Sequence, residues 1–252
     1  MKWRWIKTIL SILLIFVLIG ASYLFQNANK KVSSEVCELP IYSVNKEEKV
    51  IAISFDINWA EKDYLNSILD ILDKYNVKAT FFIMGGWVNY SEENLTKLKL
   101  IHERGHEIGN HSYKHPMFSS ISEARMLEEL KKTSETIENA IGEKPKLFRF
   151  PSGDYNKKAC RTVWSAGYIP IQWDTDSVDW REQGVDVEYN KVKKNVKSGS
   201  IVLFHNNAKY TPQNLDRIIR ELKSEGYSFE TVGRLILYEN YYIDENGIQY
   251  RK

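Results

Sequence analysis

Cysteine is scarce in this sequence of 252 residues, which contains only Cys37 and Cys160. Two thiols so far apart along the chain cannot supply the clustered ligands of a cysteine-based zinc site. An exported chain would allow them to form a disulfide, but their spacing does not establish that they lie close together. We therefore favour two separate thiols, one in a linker and one on a helix.

A large excess of one charge is also absent. The chain has 35 basic and 33 acidic side chains, a formal net charge of +2. Three of the basic residues lie in the first 25 residues, which contain no acidic residue, so the remainder of the chain is close to neutral. A protein that binds nucleic acid needs a clustered basic face, and this composition argues against such a partner. The hydrophobic content of 43% likewise excludes a disordered chain and a collagen-like fibre.

One long hydrophobic run is present, at the N-terminus. Lys2, Arg4 and Lys7 precede Ile9–Phe25, which contains no charged residue. This run is longer than the usual signal-peptide core of about 7–15 residues and is at the short end for a membrane-spanning helix. We interpret residues 1–29 as a signal-anchor, with a cleaved signal peptide as the alternative. The charge bias predicts a single-pass membrane protein whose body lies outside the cytoplasm, or a secreted protein if the segment is cleaved.

Residues 30–48 are largely polar and are predicted to be a linker, followed by a domain over residues 49–240. In this domain short apolar runs alternate with amphipathic stretches of helical period, which predicts a parallel sheet of the α/β class. Six or seven such units indicate a closed or nearly closed barrel, with its chemistry at the carboxyl ends of the strands. The tail, residues 241–252, contains the turn signal Asn246-Gly247 and is predicted to form a small hairpin. The predicted strands are Val50–Phe55, Ala79–Ile83, Glu107–Gly109, Leu147–Phe150, Ile169–Trp173, Ile201–Phe204 and, more weakly, Ser228–Thr231.

Titratable residues follow five of the predicted strands. Packing alone does not account for five such groups at corresponding strand ends, so we interpret them as a functional site. The spacing of the two histidines would place both imidazoles on one side of a helical turn, where they can bind a cation. These residues are Asp56, His111 with His115, Arg149, Asp179 and His205.

Taken together, these segments resemble the five motifs of the polysaccharide deacetylase family, also called the NodB-homology or carbohydrate esterase family 4 domain. The resemblance covers about residues 45–238. It rests on Ser54-Phe55-Asp56, on Gly105-His106-Glu107-Ile108-Gly109 with the histidines that follow, on Asp179-Trp180 and on Leu203-x-His205. The segment Glu38–Val44 is similar to the sporulation-associated branch of the family. The resemblance implies a distorted (β/α) barrel of about seven units that acts on a cell-wall glycan.

Carried over by position, the resemblance implies a role for each catalytic residue. Asp56 matches the general base, and Arg149 matches the arginine that holds it. His205 matches the general acid, and Asp179 matches the carboxylate that orients this imidazole. The implied reaction is removal of N-acetyl groups from peptidoglycan or a related polysaccharide by metal-assisted attack of water.

The resemblance also implies a substrate pocket and a metal site. Leu203 and Trp180 match residues that shape the acetyl pocket, and a backbone N–H near Ser152 matches a donor to the oxyanion. His111 and His115 match two ligands of a divalent metal, with zinc the expected ion.

The first motif departs from the family pattern at the residue after the base. The family has a second aspartate there, which is the third metal ligand, whereas this sequence has Ile57. An isoleucine side chain has no atom that can coordinate a metal. Asn58 is one candidate for a replacement ligand, and water is another. The third alternative is that the metal site is lost, which makes the protein a non-catalytic binder of wall glycan on the same scaffold.

Overall fold

The structure is a computed structural model that describes residues 39–252. The N-terminal segment predicted over residues 1–29 and Cys37 lie outside the described residues, so those predictions stay open. Within residues 39–252 no helix is long and apolar enough to cross a membrane. The helices are α1 (Leu65–Lys74), α2 (Gly85–Val88), α3 (Glu92–Glu103), α4 (Glu123–Ile141), α5 (Lys157–Ser165), α6 (Val185–Asn195), α7 (Thr211–Ser224) and α8 (Val232–Leu235).

Most of the strands form one parallel sheet. The strands are β1 (Ser43–Val44), β2 (Val50–Ile57), β3 (Thr80–Ile83), β4 (Glu107–Asn110), β5 (Leu147–Phe148), β6 (Ile169–Pro170), β7 (Thr175–Asp176), β8 (Ile201–His205), β9 (Ser228–Glu230), β10 (Tyr241–Ile243) and β11 (Ile248–Arg251). The order of the parallel sheet is β6-β5-β4-β3-β2-β8-β7, and β9 pairs with the first residues of β2. Every pairing in this sheet is parallel, and the two edge strands, β6 and β7, are not paired with each other. The sheet is therefore a curled, incomplete barrel, which confirms the predicted distorted (β/α) barrel.

Some element boundaries differ from the predictions. The strand predicted over Ile169–Trp173 is shorter, and a separate strand, β7, follows it. The short helix α2 was not predicted. The tail forms an antiparallel pair between β10 and β11, as the Asn246-Gly247 signal predicted.

The two faces of β2 have different chemistry because side chains alternate along a strand. Ile51, Ile53, Phe55 and Ile57 are fully buried in the apolar layer between the sheet and the helices. The buried face of α1 belongs to the same layer, as do residues of α7. The intervening polar residues, which include Asp56, face the interior of the barrel. This alternation places the catalytic candidate on a strand that is held rigidly by its apolar face.

Residues just before β2 belong to the folded domain rather than to a linker. Ile41 is fully buried and pairs with Ile171, beside β6. The N–H of Val44 donates to the carbonyl oxygen of Gly199. The two backbones approach so closely that a Cβ at Gly199 would lie 1.6 Å from the carbonyl oxygen of Val44. Residues 41–44 of the linker predicted over residues 30–48 are therefore paired with the barrel beside Ile171 and Gly199, and the rest of the predicted linker stays a prediction.

Candidate active site

Asp56 and Arg149 form a buried ion pair inside the barrel. Asp56 is 4% exposed near the end of β2, and Arg149 is fully buried just after β5. An Nη1–H of Arg149 donates to Asp56 Oδ1 over 2.9 Å, and its Nη2 donates to Ser54 Oγ and to the carbonyl oxygen of Gln172. The guanidinium also lies over the ring of Phe82, 4.0 Å from its centroid. Arg149 thus holds one oxygen of the Asp56 carboxylate, Oδ1, and leaves the other, Oδ2, to face a different residue.

That second oxygen faces a histidine. Nε2 of His111 lies 3.5 Å from Asp56 Oδ2, and Nδ1 of His111 is 3.0 Å from the carbonyl oxygen of Arg149. The rings of His111 and His115 meet edge to face, with centroids 4.9 Å apart. The structure therefore brings the predicted histidines together beside the predicted base.

The histidines are brought together by a turn and not by the helical turn that their spacing predicted. Ser112 and His115 both have positive φ, at 67° and 59°, which ends any helical path. Glu129 of α4 holds this turn, because its Oε2 accepts hydrogen bonds from the Ser112 hydroxyl and from the N–H groups of Tyr113 and Lys114. The predicted proximity of the two histidines is therefore correct, but the helical turn predicted to produce it is wrong.

His205 and Asp179 form the second charged pair. Nδ1 of His205 is 2.7 Å from Asp179 Oδ1, and the His205 N–H donates to Asp179 Oδ2. Thr211, at the start of α7, donates its hydroxyl to the same Oδ2. Three hydrogen bonds therefore orient a fully buried carboxylate, and the imidazole that it holds lies at the end of β8. His205 and Asp56 are Cα partners on the adjacent strands β8 and β2.

The surroundings shift the pKa values of these groups in opposite directions. Burial opposes ionisation of Asp56, but His111, Arg149 and His205 hold the pKa of this carboxyl below its usual value. Burial lowers the pKa of His111 to about 4, so this imidazole is neutral at pH 7. Burial also disfavours the charged form of His205, but the hydrogen bond and charge of Asp179 raise the pKa of that imidazole above its usual value. The site thus stabilises the ionised form of the Asp56 carboxyl and the protonated form of the His205 imidazole.

The residues present do not fit a three-ligand catalytic metal site. No three His, Cys, Asp or Glu side chains among residues 39–252 are placed so that they could hold one metal ion. Ile57 packs in the apolar layer, on the face of β2 opposite Asp56. Nε2 of His111 and Oδ1 of Asn58 are buried without a hydrogen-bond partner among the described residues. The backbone N–H of Asn58 donates to Asn206 Oδ1, a contact that does not involve the side-chain oxygen of Asn58. The role of this side chain as a replacement ligand stays a prediction.

The predicted substrate-binding residues are spread around the same end of the barrel. Leu203 is buried on β8, in register with Ser54 on β2. Ser152 has a left-handed backbone with φ of 54° in the turn after Arg149. Trp180 is 56% exposed next to Asp179. Their roles toward a substrate stay predictions.

Four residues of the site were not predicted. Ser54 lies two residues before Asp56 on the same strand face, so strand alternation was a usable signal for it. Gln172 contributes only a backbone carbonyl, and any residue type supplies one. Thr211 and Glu129 act from helices remote in sequence from the groups that they hold, and the sequence contains no local signal for either.

Comparison with known proteins assigns the family. A family model described as "Polysaccharide deacetylase" matches residues 43–171. A peptidoglycan-N-acetylglucosamine deacetylase of Bacillus cereus is 37% identical over 204 residues, which are 79% of this chain and 93% of that protein. The chain therefore belongs to the polysaccharide deacetylase family.

Other relatives are longer, or are not described as enzymes. An uncharacterised protein of Bacillus subtilis is 36% identical over 78% of this chain, and the match spans 60% of that protein's length. A solved structure from Bacillus anthracis, described as a CE4 family pseudoenzyme, has a TM-score of 0.74 at 34% identity, covering 79% of this chain and 69% of that one. A mutant of that pseudoenzyme is described as having restored enzymatic activity; it has the same TM-score at 35% identity and covers 79% of this chain and 71% of its own.

Proposed function

We propose that this protein hydrolyses N-acetyl groups on a cell-wall glycan, peptidoglycan or a related N-acetylated polysaccharide. The observation that carries this proposal is the pair of opposite-charge contacts on adjacent strands, Asp56 with Arg149 and His205 with Asp179. They place a proton acceptor and a proton donor on neighbouring strands at the same end of the barrel, and amide hydrolysis requires both. The relative from Bacillus cereus, named as a peptidoglycan-N-acetylglucosamine deacetylase, supports the substrate class.

The two pairs divide the proton transfers between them. Asp56, kept ionised by its neighbours, takes a proton from the attacking water. His205, whose pKa Asp179 raises, gives a proton to the departing amine. Environments that move the pKa values of two groups apart in this way separate the base from the acid. Trp180 and Leu203 would shape the acetyl pocket beside them.

A second candidate function is binding of wall glycan without turnover. The specific observation that favours it is Ile57, which packs in the apolar layer and leaves His111 and His115 without a third protein ligand. Two neutral imidazoles form a weak site for the predicted zinc ion. The structural likeness to a pseudoenzyme supports this alternative as well.

Acetate release separates the two candidates. The purified protein is incubated with peptidoglycan and with chitooligosaccharides, first without metal and then with zinc, cobalt or manganese. Release that is lost in Asp56→Asn and in His205→Ala, with both variants still folded, supports the hydrolase. If no acetate appears under any of these conditions but a glycan pulldown succeeds, the binding function replaces it. Trp180→Ala, at the exposed aromatic beside the site, then tests the binding surface.

We also propose that the N-terminal segment anchors the domain outside the cytoplasm. Its support is the sequence alone, the three cations that precede the uncharged run Ile9–Phe25. Membrane fractionation followed by protease treatment of intact cells tests it. A full-length protein found in the soluble fraction would contradict the anchor, and a shortened one in the medium would favour cleavage. Expression confined to sporulating cells would support the similarity of Glu38–Val44 to the sporulation-associated branch.

A further inference from the structure

A buried carboxyl group that the proposed reaction does not use lies behind the His205–Asp179 pair. Glu188 is in the first part of α6 and is 1% exposed. Its Oε2 accepts a hydrogen bond of 2.9 Å from Nδ2 of Asn214, on the facing helix α7. The other oxygen of the carboxyl, Oε1, is buried with no hydrogen-bond partner among the described residues, and so is Oδ1 of Asn214.

A single proton between the two unpartnered atoms, Oε1 of Glu188 and Oδ1 of Asn214, would account for both of them. An ionised carboxylate can only accept hydrogen bonds, and an amide oxygen can only accept them as well. Buried polar atoms are nearly always hydrogen-bonded, so two adjacent side chains that each leave an acceptor unpaired need an explanation. One proton on Oε1 of Glu188 supplies it, because the carboxyl then donates to Oδ1 of Asn214. The two side chains form a cyclic acid–amide pair in which all four groups are satisfied.

The charges around Glu188 favour the protonated form. Burial and the negative charges of Asp179 and Glu182 together raise the pKa of this carboxyl to about 7. The hydrogen bond from Asn214 and the backbone of Gly184 act against this shift. Both charged groups that act on Glu188 are thus acidic, and each disfavours a further negative charge at this position.

The acid–amide pair is connected to the catalytic pair through one helical turn. Thr211 and Asn214 are both in the first turn of α7, and Thr211 donates to Asp179 while Asn214 donates to Glu188. The first turn of α7 therefore contacts both buried carboxyl groups. A charge on Glu188 would add a second negative charge near Asp179, the carboxylate that holds the imidazole of His205.

We propose that Glu188 is a carboxylic acid that donates to Asn214 while it is protonated, and that it is a positioning residue: Asp179 is the single negative charge tuning His205 until Glu188 ionises. The consequence for catalysis rests on the proposed function, whereas the protonation of Glu188 does not. As Glu188 loses its proton with rising pH, the added negative charge retains the proton on His205 to higher pH.

The test is an NMR titration of the protein with ¹³C-labelled glutamate and histidine. The carboxyl carbon of Glu188 is expected to titrate near pH 7, well above the ordinary midpoint of 4.5 for glutamate. The pKa of His205 is expected to be lower in Glu188→Gln than in the wild type, because glutamine is neutral yet can still donate to Asn214. Asp186→Asn is the matched control, since it removes a charge from the same helix at a side chain that is 83% exposed. There the pKa of His205 is expected to stay unchanged.

Either half of the result can overturn the proposal. A Glu188 carboxyl that titrates near 4.5 in the wild type excludes the protonated pair, and this measurement needs no variant that folds. A pKa of His205 that is the same in the wild type, Glu188→Gln and Asp186→Asn excludes the positioning role. Neither readout depends on acetate release, so failure of the proposed hydrolase leaves this test intact.

Discussion

Removal of the Arg149 guanidinium tests whether the buried Asp56 depends on it. Arg149→Met keeps an apolar side chain of similar length in a fully buried position but removes the bonds to Asp56, Ser54 and the carbonyl oxygen of Gln172. Asp56, which is 4% exposed, is then left as a buried charge without its cation. Breaking a buried pair by removing one partner costs about 3–5 kcal/mol, so we expect a loss of unfolding free energy of that size at pH 7.

The dependence on pH gives the prediction a sign. In the wild type the pKa of Asp56 is below its usual value of 3.8, so this carboxyl contributes stability above the unfolded-state pKa that is lost as pH falls through the folded-state pKa. The wild-type carboxyl therefore stays ionised between pH 7 and pH 5. Without Arg149 its pKa rises, and protonation relieves part of the penalty. We expect Arg149→Met to cost less at pH 5 than at pH 7.

Urea unfolding at both pH values provides the assay, together with a double-mutant cycle. In the double variant Asp56→Asn/Arg149→Met neither charge of this pair remains, so its loss is expected to be smaller than the sum of the single losses. Arg220→Met is the control, because Arg220 pairs with Asp216 but its own side chain is 59% exposed. Its loss of unfolding free energy is expected to be within about 1 kcal/mol. Additive single effects, or a cost of Arg149→Met that is the same at pH 5 and pH 7, would refute the reasoning.

Three further predictions concern the metal ligand, the acid and the histidine turn. Ile57→Asp replaces a buried apolar side chain by a carboxylate on the apolar face of β2, so it should cost more than about 1.5–3 kcal/mol, the contribution of the lost side chain. Zinc at a hundredfold excess over its dissociation constant should return about 2.7 kcal/mol only if the new carboxylate turns toward His111 and His115. Thermal unfolding with zinc checks this against Ile57→Asn, and an equal zinc effect in the two variants would count against a repaired site. Asp179→Asn should lower the pKa of His205, as measured by NMR titration, and an unchanged value would contradict the role of that carboxylate. Glu129→Gln should cost about 1–3 kcal/mol of unfolding free energy in urea because buried N–H donors lose a charged acceptor, whereas Glu128→Gln at its exposed neighbour should cost almost nothing.

The barrel and its strand ends were predictable because apolar periodicity reports directly which face of a strand is buried. Asp56 and His205 follow from that pattern, since each lies at or near the end of an apolar run. The contact between Asp56 and Arg149 does not, because their strands β2 and β5 are separated in the sheet by β3 and β4. Only the curvature of the sheet brings the two side chains together across its interior, and no local spacing encodes that curvature.

The supporting residues were not predictable for a related reason. Glu129 is in the middle of α4, and Glu188 is on α6, so both look like ordinary charged residues of amphipathic helices. Their burial is decided by which loop or helix packs over them, and this information is spread over the whole chain. The two histidines show the opposite case, in which the spacing predicted a correct contact through the wrong backbone geometry.

The charge pair of Asp56 and the replacement of a predicted metal ligand by Ile57 do not conflict, because the two residues lie on different faces of β2. Asp56 faces the interior, where its pairing with Arg149 contributes little net stability over an apolar replacement of similar volume. A buried pair of this kind is therefore better explained by chemistry at the site than by folding. Ile57 faces the helices, where an apolar side chain adds directly to the core. An apolar residue at this one position therefore adds to the core without disturbing either charge pair. Ile57→Asp thus measures the effect of that position alone on metal binding and acetate release.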